Sequence, residues 1–152
     1  MTEQHDSLIL QFLARVFIVP FLLVFSMYIF VHGEVSPGGG FQAGAIAAAG
    51  IIVGKLTLGM EYSERRVSTR WLLALACAGT ILYVLAGLVP MFFGVNFLDY
   101  SELPVEWFNA IADHERTNRA MGIFIIEFGV FAAVTGVLVL LYNYLTRRFR
   151  DD

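Results

Sequence analysis

The chain is poor in charge and nearly without cysteine. Of its 152 residues, 15% are Asp, Glu, Lys or Arg, against about 25% in an ordinary soluble domain. That shortage argues against a water-exposed globule, and it excludes disorder, whose signature is low hydrophobicity with high charge. A formal net charge of -3 leaves no basic footprint for nucleic acid. The single cysteine, Cys77, lies inside an apolar run, so an internal disulfide framework and a Cys-rich metal site are both excluded. His5 and His114 have no neighbours at metal-ligand spacing, and no Ser/His/Asp or Cys/His constellation occurs. The expectation is a protein that is not an enzyme and holds no metal and no cofactor.

What is present is apolar: 58% of the residues are A, V, I, L, M, F, W, Y or C, and mean hydropathy is +0.71. These residues gather into four runs, at about 8–31, 39–59, 71–94 and 120–145. A helix needs roughly 20 residues to cross a bilayer, and each run suffices. The runs are continuous rather than alternating, which disfavours a barrel. The first lacks a basic segment before it and is too long for a signal-peptide core, so it reads as a retained span. The sequence therefore predicts an all-α integral membrane protein of four transmembrane helices, a single membrane domain over residues 1–152, multi-pass in the cell membrane.

Orientation follows from the basic residues of short flanks. Arg65, Arg66, Arg70, Arg147, Arg148 and Arg150 fall on the side shared by both termini. Arg116 and Arg119 fall on the other, diluted by Asp99, Glu102, Glu106, Asp113 and Glu115. Both termini are thus predicted to be cytoplasmic (N-in/C-in). Between the third and fourth spans, Pro104 opens a segment with Trp107, Phe108 and Ile111 that fits a short interfacial helix. An ordinary exposed loop with two aromatics fits the same residues.

The connection between the first two spans is only His32 to Gly38, followed by Gly39, Gly40 and Phe41. Pro37 fixes φ and cannot donate a hydrogen bond, while Gly38, Gly39 and Gly40 reach backbone angles closed to other residues. The segment is read as an abrupt structural turn, whose freed N–H groups at a helix start offer a place for an anion or a neighbour's polar side chain. Beyond it, small residues recur at Gly40 and Gly44, and at Ala43, Ala47, Gly50 and Gly54. Such residues let helices approach closely. So little bulk on one helix suggests contact on more than one side, as in a subunit of a larger assembly, although packing within a monomer also uses such a stripe.

Charges inside hydrocarbon cost on the order of 3 kcal/mol at its centre, and each needs a reason. Lys55 sits close enough to the end of its run for its stem to carry the ammonium to the interface. Arg15 lies about 10 Å into its run, so it either snorkels or pairs with an acid of a neighbouring helix. Glu127 lies about 10 Å into the fourth run, and a short carboxylate reaches water poorly from there. It is expected to face protein or a water-filled cavity, as a proton-relay group or as a hydrogen-bonded tie between helices. His32 ends the first span, either as a polar cap or as a proton-handling group. Glu127, His32, Arg15 and Lys55 are the ion-pathway candidates.

Arg15, Pro20, Tyr28, His32-Gly33 and Ser36-Pro37-Gly38-Gly39-Gly40-Phe41-Gln42 resemble the N-terminal half of the MnhB (MrpB) subunits of Mrp-type multisubunit cation/proton antiporters. The same domain is found in the antiporter-like arms of energy-converting hydrogenases. Glu127-Phe128-Gly129-Val130 with Gly136 is similar, more loosely, to the family's fourth helix. Ala43 stands where a second glycine after Gln42 is common, and residues 95–119 match no family feature. The resemblance implies a small accessory subunit of an assembly exchanging Na+ or another monovalent cation for H+. Its partners would be the other membrane subunits and the lipid bilayer, and its contribution packing and one wall of an ion route. A subunit of a redox-driven, hydrogenase-type complex and a self-associating membrane scaffold without an ion role remain as alternatives.

Overall fold

The computed structural model describes residues 2–33, 39–58, 67–92, 94, 96–99 and 114–151, with the backbone alone for 2–7, 58, 114–118 and 147–151. The described residues are helical apart from short turns. Four segments are long and apolar enough to cross a membrane: Leu8–Val31, Gly40–Thr57, Thr69–Phe92 and Arg119–Thr146. The expected interfacial helix around Trp107 lies outside the described residues, as do Pro37 and Gly38 of the turn.

The first helix starts as Thr2–Leu13, widens into a π turn at Ala14–Ile18 and continues as Val19–Val31. Pro20 explains the widening. A proline lacks the N–H that would bond the carbonyl four residues back, and its ring collides with that carbonyl. The chain relaxes by one extra residue, and the Val19 N–H bonds to the Ala14 carbonyl, the five-residue spacing of a π turn. The second helix is Gly40–Leu58 and the third Thr69–Phe92. The fourth, His114–Asp151, has 38 residues, about 57 Å at helical rise, so its charged ends extend past the hydrocarbon.

The principal packings join the first helix to the second, the second to the fourth and the fourth to the third. The second and fourth helices are therefore central, and the first and third flank them. A β-carbon built on Gly50 would meet Leu22 and Leu23, and one on Gly54 would meet Val19, so the first two helices run antiparallel. Gly40 lies on Glu127, and Gly44 on Phe131 and Val134, which makes the second and fourth helices parallel. The small residues of the second helix thus serve two faces. Gly40 and Gly44 meet the fourth helix, whereas Gly50 and Gly54 meet the first. Ala43, Ala47 and Ala48 are buried as well.

The third and fourth helices pack backbone to backbone. A β-carbon on Gly79 would lie 2.5 Å from both the Ala133 nitrogen and the Gly129 carbonyl oxygen, and one on Gly136 would lie 2.8 Å from the Ala76 nitrogen. Without a hydrophobic force between helices in lipid, such close van der Waals contact holds them. Ala48, Leu72, Ala76, Val139 and Leu140 form the core where the second, third and fourth helices meet. Gly79→Val is expected to push the third helix off the fourth at a cost of about 2 kcal/mol. The check is a lowered thermal midpoint in detergent, with Ala74→Val, on an exposed position of the same helix, leaving it unchanged.

Candidate functional site

At one end of the central pair the aromatic side chain of Phe30 is 4% exposed. Its ring packs edge-on against Phe124 at 5.2 Å and Phe128 at 6.1 Å, and tilted against Phe131 at 5.3 Å. This cluster draws the end of the first helix onto the fourth. Glu127 belongs to the same stretch of the fourth helix, and its surroundings follow from the turn.

Gly39 has φ of +103°, a conformation that L side chains rarely adopt. Its carbonyl accepts the first intrahelical bond of the second helix, from the Ala43 N–H at 3.1 Å, so Gly39 is the N-terminal cap. A β-carbon on Gly40 would collide with the Glu127 carbonyl oxygen; no side chain fits there, and the start of the second helix rests directly on the fourth. The Glu127 carboxyl lies in the notch so formed. A β-carbon on Gly39 would be 2.8 Å from Oε1, and one on Gly33 would be 2.8 Å from Oε2 and 3.1 Å from Oε1.

One carboxyl thus sits between two helix ends of opposite polarity. On one side is the start of the second helix, where the N–H groups of Gly40, Phe41 and Gln42 have no intrahelical acceptor and the dipole is positive. On the other is the end of the first helix, where carbonyls are left over and the dipole is negative. That end is partly closed by His32. Its backbone N–H donates to the Tyr28 carbonyl at 3.1 Å, and its Nδ1 lies 3.0 Å from the same oxygen. The imidazole, exposed, packs on the Tyr28 ring at 4.1 Å.

The other two ionisable candidates lie at the opposite end. Lys55 is fifteen residues beyond Gly40 on the second helix, about 22 Å away. Its side chain does not extend along the surface to the interface: it is 1% exposed. The reason is angular, because Lys55 continues the line Gly40, Gly44, Ala48 that faces the fourth helix. Arg15 lies in the π turn and is exposed. The structure therefore joins Glu127 to Gly33, Gly39 and Gly40 beside His32 and sets Arg15 and Lys55 apart from them.

Halfway between, the buried Thr135 hydroxyl lies 2.7 Å from the Phe131 carbonyl and 3.2 Å from that of Gly44, a polar stitch across the second and fourth helices. Threonine in an apolar run carries little signal by itself, and its place opposite Gly44 emerges only once Glu127 and Gly40 are known to face each other. Among the described residues no group of three or more His, Cys, Asp or Glu is placed to hold a metal ion.

The family model described as a domain related to the MnhB subunit of Na+/H+ antiporter matches residues 9–140. The chain is 31% identical over 143 residues to a Na+/H+ antiporter subunit of Bacillus subtilis (strain 168), covering 90% of this chain and 92% of that protein. It is 29% identical over 136 residues to the antiporter subunit mnhB2 of Staphylococcus haemolyticus (strain JCSC1435), with the same coverage. With the mnhB2 of Staphylococcus aureus (strain Newman) the identity is 30% over 122 residues, 80% of this chain and 82% of the other. A match of this extent, on a chain of four membrane-spanning helices, places the protein in the MnhB family of antiporter subunits.

Proposed function

We propose that the chain is an accessory membrane subunit of an Mrp-type Na+/H+ antiporter, with both termini cytoplasmic, and that it acts through assembly and through Glu127 rather than by catalysis. Relatives of this kind in Bacillus and Staphylococcus bear the antiporter name. The observation that carries the role of Glu127 is its position between opposite helix ends. As a carboxylate it is favoured by the positive start of the second helix. As a neutral acid it has an O–H to donate toward leftover carbonyls at the end of the first. Both protonation states then have somewhere to turn, which is what a group that takes up and releases a proton within the membrane needs.

A place in a larger assembly is supported by the packing. The first span buries least of the four, and Phe17, Phe21, Val24 and Tyr28 are more than half exposed along it. The test is purification of the tagged protein from its native membrane in mild detergent, with mass spectrometry of what accompanies it. Large antiporter-type subunits are expected. Iron–sulfur or hydrogenase-like partners would replace the free-standing antiporter by a redox-driven complex, and recovery of this chain alone would overturn the proposal.

A further inference from the structure

The end of the bundle opposite Glu127 holds a second set of buried polar groups that belongs to no motif. Asn143 is 1% exposed, and neither its Oδ1 nor its Nδ2 has a hydrogen-bond partner. Thr69 Oγ1 is also buried without one. Lys55 is as deeply buried as Asn143.

Packing register brings the three together. On the fourth helix, Glu127, Phe131, Thr135, Val139 and Asn143 follow one another at intervals of four, so Asn143 continues the stripe that meets the second helix. Glu127 faces Gly40, and Phe131 faces Gly44; advancing fifteen residues on one helix and sixteen on the other sets Lys55 level with Asn143. The third helix runs the opposite way, with Gly79 on Gly129 and Ala133, and Leu72 and Ala76 on Gly136. Thr69, one turn before Leu72 at the start of that helix, therefore reaches the same level within about 5 Å.

An amide buried without a partner costs about 1–3 kcal/mol in mutational data, and a hydroxyl similarly. Three such atoms clustered beside a buried ammonium would make this the worst-satisfied spot in the described bundle. Buried polar groups of native proteins are satisfied by protein or by ordered water, and a water needs two to four polar partners. Asn143 offers a donor and an acceptor, Thr69 offers both in its hydroxyl, and Lys55 offers donors. A side chain from another subunit does not reach this place, because all of Lys55 and Asn143 is covered by this chain itself. The donors and acceptors suit water, which enters only by a small parting of the helices, because each of these atoms is covered in the closed bundle.

We infer that Lys55, Thr69 and Asn143 form an internal polar site at the Lys55 end of the seam between the second and fourth helices, which takes in water from that side of the membrane as the helix ends part. It is the polar counterpart of the Glu127 notch at the other end. The inference does not require Glu127 to carry protons, and an unaltered Glu127→Gln would leave it standing.

Thiol chemistry tests it in the complete complex in native membranes. The reactive form is the thiolate, which forms where water solvates it. In a Cys77→Ala background, Asn143→Cys is treated with the small, membrane-impermeant reagent 2-sulfonatoethyl methanethiosulfonate from each side in turn. Reaction from the Lys55 side is expected at least about tenfold faster than for Val139→Cys, one turn away and 0% exposed in the dry core. Thr69→Cys, a closer match in size, is expected to react likewise, and it carries the test where Asn143→Cys fails to assemble. Reaction of the assembled variants no faster than that of Val139→Cys, or only from the Glu127 side, overturns the inference.

Discussion

Glu127→Gln is expected to assemble normally and to lose about a hundredfold in Na+-dependent proton exchange, the scale of one positioned acid–base group. Glutamine keeps the length of the side chain and its capacity to hydrogen-bond, so it still fills the notch against Gly33 and Gly39. It has no proton to release, and it no longer responds to the positive start of the second helix as a charge does. Glu127→Asp retains the charge but shortens the arm by one methylene, drawing the oxygens back from both glycines. Its exchange is expected to fall between wild type and Gln. The measurement is cation-induced proton flux in vesicles, scaled to the amount of assembled complex. Unaltered flux in the Gln variant would reduce Glu127 to a structural tie.

Gly40→Val is expected to remove the subunit from the complex. The position has no room for a β-carbon, since the atom in the way is the carbonyl of Glu127 and cannot swing aside as a side-chain tip would. The start of the second helix must lift off the fourth, which opens the notch around the Glu127 carboxyl. Gly40→Ala asks for the same displacement with less bulk and is expected to lower the recovered subunit rather than abolish it. Gly39→Val adds a backbone penalty of about 1–2 kcal/mol, because a left-handed φ drives Cβ onto the neighbouring carbonyl. Immunoblotting of membranes and of purified complex reads all three. A Gly40→Val chain recovered at the normal level would contradict the packing described for this end.

The four spans were legible because a membrane helix announces itself by the length of its apolar run, and Leu8–Val31, Gly40–Thr57, Thr69–Phe92 and Arg119–Thr146 fall close to the runs read from composition. Which side of each helix meets protein was harder to read. In water, a polar face marks the outside and an apolar stripe the inside. In lipid both faces are apolar, and only small or polar residues betray contact. Glycines on the second helix supplied that mark. Lys55 did not, because a lysine near the end of a run reads as a snorkelling side chain unless its angle is known, and the angle is set by Gly40 and Gly44 facing the fourth helix. The notch itself joins residues far apart in the chain, and nothing in local spacing ties Gly39 to Glu127. Asn143 is a single polar residue in an apolar run and Thr69 stands among the polar residues before the third run, and only the packing of three helices makes them neighbours.

The π turn at Ala14–Ile18 decides where a positive charge points. Counted back from Val19 at the usual interval of four, Arg15 would fall on the line that faces the second helix, where Val19 meets Gly54. The extra residue shifts the phase of everything before it by about 100°. Ala14 takes the inward place, at 0% exposure, and Arg15 is rotated outward. Deleting one residue from this turn, or substituting Pro20 so that it closes into ordinary α-helix, would swing a guanidinium into the close packing of the first two helices. Proline at position 20 thus works as a spacer that keeps a cation out of the seam between two helices.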